Sequence, residues 1–302
     1  MEFGENDDKN EKFKMEFKNF DISYHFLKDE KLNCSETKLL IVIPSRPNAF
    51  HTRMAIRKSW LKNVTSTITY RFIIGSTPNL TIEQLNHEEF EQYNDLIISN
   101  IQDSYLNLTL KTNSILQWQQ RYCPKIEYLL KTDDDTVVDV NRLLYWIEND
   151  YKNITQNFEN KVIFGKIWSK TLPKRDPSKK WYTSYSAWNR KVFPDYCNGP
   201  TYLLTAKAVE AILEKTPNFE LISIEDVFFT GILAEAAGIK RIDRWKNFGR
   251  GKTISIKDYG CNERNVPYLT SIYEIKIDIY EEGKSNAFSD ATEKLLALKC
   301  LK

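Results

Sequence analysis

The sequence contains no long hydrophobic run. Its longest clean apolar stretch is Leu39 to Ile43, whereas a membrane-spanning helix needs about 20 consecutive apolar residues. No transmembrane helix is expected. The charged stretch 1–31 has no apolar segment, so a signal peptide is not expected there, and the sequence as it stands reads as soluble. An excess of one charge is also missing. The 43 Lys and Arg against 41 Asp and Glu leave a formal charge of +2 in 302 residues, so the balance does not point to nucleic acid. Cysteine is scarce: none of the 5 forms a CxxC pair, which argues against a zinc site. Internal repeats and low-complexity tracts are lacking too. With 41% apolar and 28% charged residues, the composition is that of a globular protein, which excludes collagen-like and wholly disordered chains.

The length allows one large α/β domain or two smaller ones. Sequons at Asn33, Asn63, Asn79, Asn107 and Asn153 lean toward the secretory pathway. Most of the 7 Trp and 16 Tyr are expected in the core, although a carbohydrate-stacking site would use the same residue types. Residues 1–35 read as a polar lead-in with a short helix over 12–20. From Lys38 the pattern alternates. Strands are expected at 39–43, 68–74, 95–99, 126–130 and 162–165, with helices at 49–61, 81–93 (N-capped by Thr81), 106–122 and 140–149. That order predicts an open, mainly parallel sheet flanked by helices. Residues 166–195 break the alternation. Rich in Lys, Pro, Ser, Trp and Tyr, they read as a functional loop or an added hairpin. A strand at 202–205 and helices at 206–215 and 225–237 follow. The tail from 250 shows mixed signals without a clear order.

The chemistry is expected around Asp133, Asp134 and Asp135, which follow a buried strand almost at once. Open α/β sheets bind ligands beyond the carboxyl ends of their strands. Adjacent carboxylates repel one another unless a cation compensates, and hard oxygen ligands suit Mg²⁺ or Mn²⁺ completed by phosphate oxygens and water. The alternative is a solvated acidic turn. Glu225 and Asp226 open a helix, either as simple N-terminal carboxylates or as a general base over the ligand. Arg53 and Arg57 share one helix face at a spacing of four, suited to phosphate or simply solvated.

Five blocks in order resemble the β-1,3-glycosyltransferase family, which contains β-1,3-galactosyltransferases and N-acetylglucosaminyltransferases, with Fringe as a distant relative. The blocks are Arg53-Met54-Ala55-Ile56-Arg57-Lys58-Ser59-Trp60, the run Asp103 to Thr112, Lys131 to Val138 with the Asp triplet, Phe193 to Gly199 followed by Tyr202, and Ile224-Glu225-Asp226-Val227 with Gly231. The resemblance implies a GT-A-type, Rossmann-like fold in a single catalytic domain over 36–302. It implies a UDP-sugar donor contacted by Arg53, Arg57, Lys111, Asp133 and Asp134. Mn²⁺, with Mg²⁺ as the substitute, would sit on Asp135 and Asp133. Asp226, beside Glu225, is the implied base of an inverting transfer of galactose or an N-acetylhexosamine to a glycan hydroxyl, giving a β-1,3 linkage. Gly199, Tyr202 and Trp181 are expected on the acceptor side. The acceptor would be a glycan on a glycolipid or glycoprotein, in the Golgi or secretory lumen, and no nucleic-acid partner is implied. Similar proteins begin with a signal-anchor helix, so a membrane is expected only through an anchor outside this sequence.

The resemblance also suggests that Cys123 pairs with Cys197 and Cys261 with Cys300, leaving Cys34 over. Many relatives carry a late His in the metal shell. Here the histidines are His25, His51 and His87, and Glu281 is the candidate substitute. A catalytically degenerate nucleotide- or glycan-binding member is therefore the rival expectation. A phosphatase that uses Asp133-Asp134-Asp135-Thr136 as a D-x-D-x-T loop is a more distant one, because Lys131 and Thr132 interrupt its apolar strand.

Overall fold

The computed structural model describes residues 10–19, 21–27, 32–62, 64–251, 254–275 and 287–300. Its strands are β1 (Asn10–Glu16), β2 (Asp21–Leu27), β3 (Leu39–Pro44), β4 (Ile68–Ser76), β5 (Leu96–Gln102), β6 (Tyr128–Thr132), β7 (Val137–Val138), β8 (Val162–Trp168), β9 (Tyr196–Thr205), β10 (Lys240–Asp243), β11 (Phe248–Arg250) and β12 (Ser271–Tyr273). The first helices are α1 (Phe50–Lys58), α2 (Leu80–Tyr93), α3 (Leu108–Tyr122), α4 (Val140–Trp146), α5 (Lys152–Asn157) and α6 (Ala206–Lys215).

Nine strands form the main sheet in the order β1-β2-β5-β4-β3-β6-β9-β8-β10. Its centre, β5-β4-β3-β6, is parallel, while β9 runs antiparallel between β6 and β8. The expected largely parallel α/β architecture is therefore present. β3 explains why. Leu40 and Val42 enter one apolar core while Leu39, Ile41 and Ile43 enter the other, so a continuous apolar run is buried on both faces of the sheet.

The N-terminal expectation is corrected. Phe13, Met15 and Phe17 alternate with Lys14 and Glu16, a two-residue period that suits a half-buried strand and not a helix. β1 and β2 form an antiparallel hairpin whose Phe13, Met15, Tyr24 and Phe26 are buried in the main core. Residues 10–19 and 21–27 are thus part of the folded body and not a polar lead-in. The cap of α2 is also corrected. The Asn79 Oδ1 accepts hydrogen bonds from the amides of Thr81 (3.0 Å) and Ile82 (3.2 Å), so Asn79, not Thr81, caps the helix.

Cysteine pairing differs from the expectation at one bond. Cys34 is bonded to Cys123, and Cys261 to Cys300. Cys197 is a free, buried thiol in β9. It packs beneath Gly165 of β8, where an added Cβ would meet its Sγ at 2.9 Å. Cys34 lies in the segment entering β3, and this brings it to the C-terminal end of α3, with a Cα–Cα distance of 5.4 Å to Cys123.

The unordered tail supplies a second sheet, β11-β12-β7. Val137 and Val138, separated from the Asp triplet by Thr136, pair with β12. β12 in turn pairs with β11, setting Arg250 opposite Tyr273. The expected helix at 225–237 is a wide π-helical stretch, Val227–Leu233, ended by one α-turn at Ala234–Ala236. Such widened helices concentrate at functional sites.

Candidate active site

Asp133, Asp134 and Asp135 emerge where β6 ends. Each then takes a different role. The Asp134 carboxylate accepts a 2.9 Å hydrogen bond from the Ser45 hydroxyl at the end of β3, and burial raises its pKa. Asp133 receives the Lys131 ammonium at 2.6 Å. Asp135 takes only a 3.4 Å contact from the Thr136 hydroxyl. Burial, with the Asp133 and Asp134 charges behind it, pushes Asp135 up to about 6.

Lys131 is the hub. It sits 1% exposed on β6 and donates to Asp133, to the Gly199 carbonyl (2.8 Å) and to the Glu225 Oε1 (2.9 Å). Burial opposes its charge, but Asp133 and Glu225 outweigh that and hold its pKa above the usual lysine value. The second Glu225 oxygen accepts from the Tyr202 hydroxyl at 2.8 Å. Both Glu225 oxygens are therefore occupied inside the protein. Asp226 is different. Its Oδ2 accepts from the Gly199 amide (2.9 Å) and its Oδ1 from the Val227 amide (2.8 Å), which fixes the carboxylate at the cavity wall. Burial and then Glu225 push its pKa up to about 7. A carboxyl titrating there is poised to exchange a proton near neutral pH.

These groups border a cavity of about 690 Å³. Asp133, Asp135, Gly199, Glu225 and Asp226 line it, together with the aromatic residues Tyr105, Trp168 and Trp181. Trp181 is 48% exposed and its indole N–H donates to the Tyr105 hydroxyl at 3.0 Å. The loop 166–195 thus supplies Trp168 and Trp181 to the cavity lining, and its strand pairing beyond β8 is an isolated bridge between Lys174 and Tyr182, not a regular hairpin.

Gly199 is required by close approach. A Cβ there would lie 3.0 Å from the Asp226 Oδ2 and 3.3 Å from the Glu225 Oε1. Gly199→Ala is expected to lower the rate of any reaction that uses Asp226 at least about tenfold by displacing that carboxylate, since small misplacements of catalytic groups are costly. Its urea midpoint should move far less than its rate. A full-rate Ala variant would show that this contact is not critical.

Four expected site residues are placed elsewhere. Arg53 is fully buried. It donates to Glu89 (Nε–Oε1 2.9 Å, with a second contact from Nη2 to Oε2), to the Arg46 carbonyl (2.7 Å) and to the Pro47 carbonyl (3.3 Å). Arg57 is consumed by Asp95 (2.7 and 2.8 Å) and Glu89 (2.7 Å), with its guanidinium over the Tyr93 ring. Neither borders the cavity. Arg53 instead braces the 45–47 turn beside Asp134. Lys111 donates to Asp103 and to the Ser45 carbonyl (2.9 Å), bracing the same turn from α3. Tyr202 is 0% exposed, donates to Glu225 and does not border the cavity. The Arg53–Arg57–Glu89–Asp95 cluster is structural. Because breaking a buried pair strands a charge, Glu89→Gln is expected to destabilise by about 3–5 kcal/mol in urea unfolding. A shift below about 1 kcal/mol would contradict that account.

Lys131 was legible as a charge on a buried strand, a position that requires partners, but its partners come from distant segments. No group of three or more His, Cys, Asp or Glu side chains forms a ready metal cluster among the described residues. Mg²⁺ or Mn²⁺ needs no such cluster, because one or two carboxylates plus phosphate oxygens and water complete the shell. Asp135, half-buried and almost without partners beside two further carboxylates, fits that demand. Glu281 lies outside the described residues.

Sequence comparisons place this geometry among known proteins. The profile of the family described as Galactosyltransferase matches residues 51–244. Beta-1,3-galactosyltransferase 1 of Mus musculus is 30% identical over 225 residues, 72% of this chain and 66% of that protein. The human lactosylceramide 1,3-N-acetyl-beta-D-glucosaminyltransferase is 27% identical over 262 residues, 83% of this chain and 65% of that protein. Beta-1,3-galactosyltransferase 5 of Pan paniscus is 27% identical over 221 residues, covering 72% and 71%. The chain thus spans about two thirds of the length of these relatives. The matched stretch carries the Asp triplet, Gly199 and the Glu225–Asp226 pair, and on this match the chain belongs to the galactosyltransferase family.

Proposed function

We propose that this protein is an inverting, metal-dependent glycosyltransferase that moves galactose or an N-acetylhexosamine from a UDP-sugar to a glycan hydroxyl, forming a β-1,3 linkage. The observation that carries this reading is Asp226: a carboxylate at a cavity wall, held by two backbone amides, with its pKa pushed up to about 7.

In this reading Asp226 accepts the proton of the acceptor hydroxyl as that oxygen attacks the anomeric carbon, and the UDP leaves with the bonding electrons. Asp135 and Asp133 would hold Mn²⁺ or Mg²⁺. Bound there, such an ion supplies positive charge against the departing diphosphate. Lys131 ties the Asp133 turn to Glu225 and Gly199, so the donor and acceptor halves keep one fixed spacing. Trp181 and Tyr105 present flat apolar faces suited to stacking on a sugar ring.

The acceptor would be a glycan on a glycolipid or glycoprotein in the secretory lumen. The Cys34–Cys123 and Cys261–Cys300 bonds support an oxidising compartment. No helix among the described residues is long and apolar enough to cross a membrane.

The test is UDP release from UDP-Gal, UDP-GlcNAc and UDP-GalNAc with a panel of β-linked acceptor glycosides, in Mn²⁺ and in EDTA. Acceptor-dependent release that needs Mn²⁺, Asp135 and Asp226 supports the reading. Folded protein that binds UDP and Mn²⁺ but never transfers to any of the panel would favour a degenerate binding protein.

A further inference from the structure

The loop between Lys166 and Phe193 is strongly unbalanced in charge. It holds eight Lys or Arg residues against one acid, Asp176, in a chain whose total charge is only +2. Most of this charge is not spent inside the fold. Arg190 pairs with Glu235 at 2.7 Å, and Arg175 is spent within the loop. Arg175 donates to the carbonyls of Thr183 (2.9 Å), Ser184 (2.9 Å) and Trp188 (2.6 Å), and its guanidinium lies over Tyr185, so it organises the loop. Lys174 and Lys180 border the cavity and form no ion pair among the described residues. Lys174 is fixed by its backbone bridge to Tyr182. The Lys180 ammonium lies 4.1 Å from the Tyr105 ring centroid and 5.5 Å from that of Trp181. The cavity lining therefore joins carboxylates with two lysines, of which Lys180 lies beside the Tyr105 and Trp181 rings.

Neither lysine has a carboxylate partner among the described residues, so acidic groups on a glycan in this cavity would find their charge partners there. We propose that the acceptor is an anionic glycan, one whose sugars near the reacting hydroxyl carry sulfate or carboxylate groups, with Lys174 and Lys180 as its specificity-determining residues. The inference rests on the transferase reading above. Sugar rings stack on Trp181 and Tyr105 while the acidic substituents meet the two lysines, and the carboxylates of the cavity turn them away from the donor site.

The test reads binding directly, so its failure is separable from failure of transfer. A neutral galactose-terminated tetrasaccharide and the same tetrasaccharide carrying one sulfate are titrated against the whole chain by tryptophan fluorescence. UDP release is followed in the same preparations. The sulfated form is expected to bind roughly tenfold more tightly at low salt, about the worth of one charge-assisted contact. That preference should vanish near 1 M NaCl, where screening acts within about 3 Å. It should collapse toward unity in the Lys174→Ala/Lys180→Ala double variant and return in Lys174→Arg/Lys180→Arg. Equal affinity for the two sugars overturns the proposal, as does a preference that survives in the Ala variant. In either case UDP release still reports whether the transferase reading stands. Lysine-dependent binding to anionic phospholipid vesicles, with no preference between the sugars, would also overturn it and assign the loop to a membrane surface.

Discussion

Asp226→Asn is expected to lower kcat by about 10²–10⁴-fold, the usual contribution of a positioned general base. The substitution keeps the shape of the side chain, and the amide oxygen can still accept one of the two backbone hydrogen bonds. It removes the ability to take a proton. In the unaltered protein, kcat/KM should rise with pH through about 7 and then level off. The sign follows from the role: a base works as the free carboxylate, which dominates above its pKa, so protonation below about 7 removes activity. The Asn variant's residual rate should lack that limb. A limb at an ordinary carboxylate pKa, or an Asn variant with near-normal kcat, would take the proton-accepting role away from Asp226.

Lys131→Met is expected to have the second large effect, and on stability as well as rate. Lys131 lies 1% exposed between Asp133 and Glu225. Its removal leaves the Glu225 carboxylate buried and uncompensated. Breaking such a pair costs about 3–5 kcal/mol, whereas replacing both partners by neutral groups costs much less. Two measurements separate the structural role from the catalytic one. Urea unfolding of Lys131→Met should show the large loss, and Lys131→Met/Glu225→Gln should recover a substantial part of it, because the stranded charge is gone. The rate should not recover in the double variant, since the tie from Asp133 to Gly199 is still cut. A single variant as stable as the parent, or a double variant that regains full activity, would contradict this assignment.

The four-residue spacing of Arg53 and Arg57 was readable, but their partners were not. Spacing on α1 places both on one helix face. It cannot show that Glu89 and Asp95, more than thirty residues later, come to that face and pair with both guanidinium groups. The same limit governs Tyr202 and Lys111, for which the family resemblance implies contact with ligand and whose burial makes them supports. Cys34 and Cys197 exchanged roles for a similar reason. Pairing depends on which Cβ atoms approach, and that is settled by how the segment before β3 crosses the end of α3.

The sequence alone determined the alternation of strands and helices, the doubly buried β3 and the position of the Asp triplet at a strand's carboxyl end. Each of these is local: an apolar run, a period or a breaker acts within a few residues of itself. The tertiary structure decided which carboxylate is free. Glu225 is spent on Lys131 and Tyr202, while Asp226 is held at the cavity by the Gly199 and Val227 amides. It also turned the basic loop 166–195 toward that cavity. Burial and charge pairing set these roles, and both depend on segments that meet only when β9, the loop and the π-helical stretch close around the end of β6.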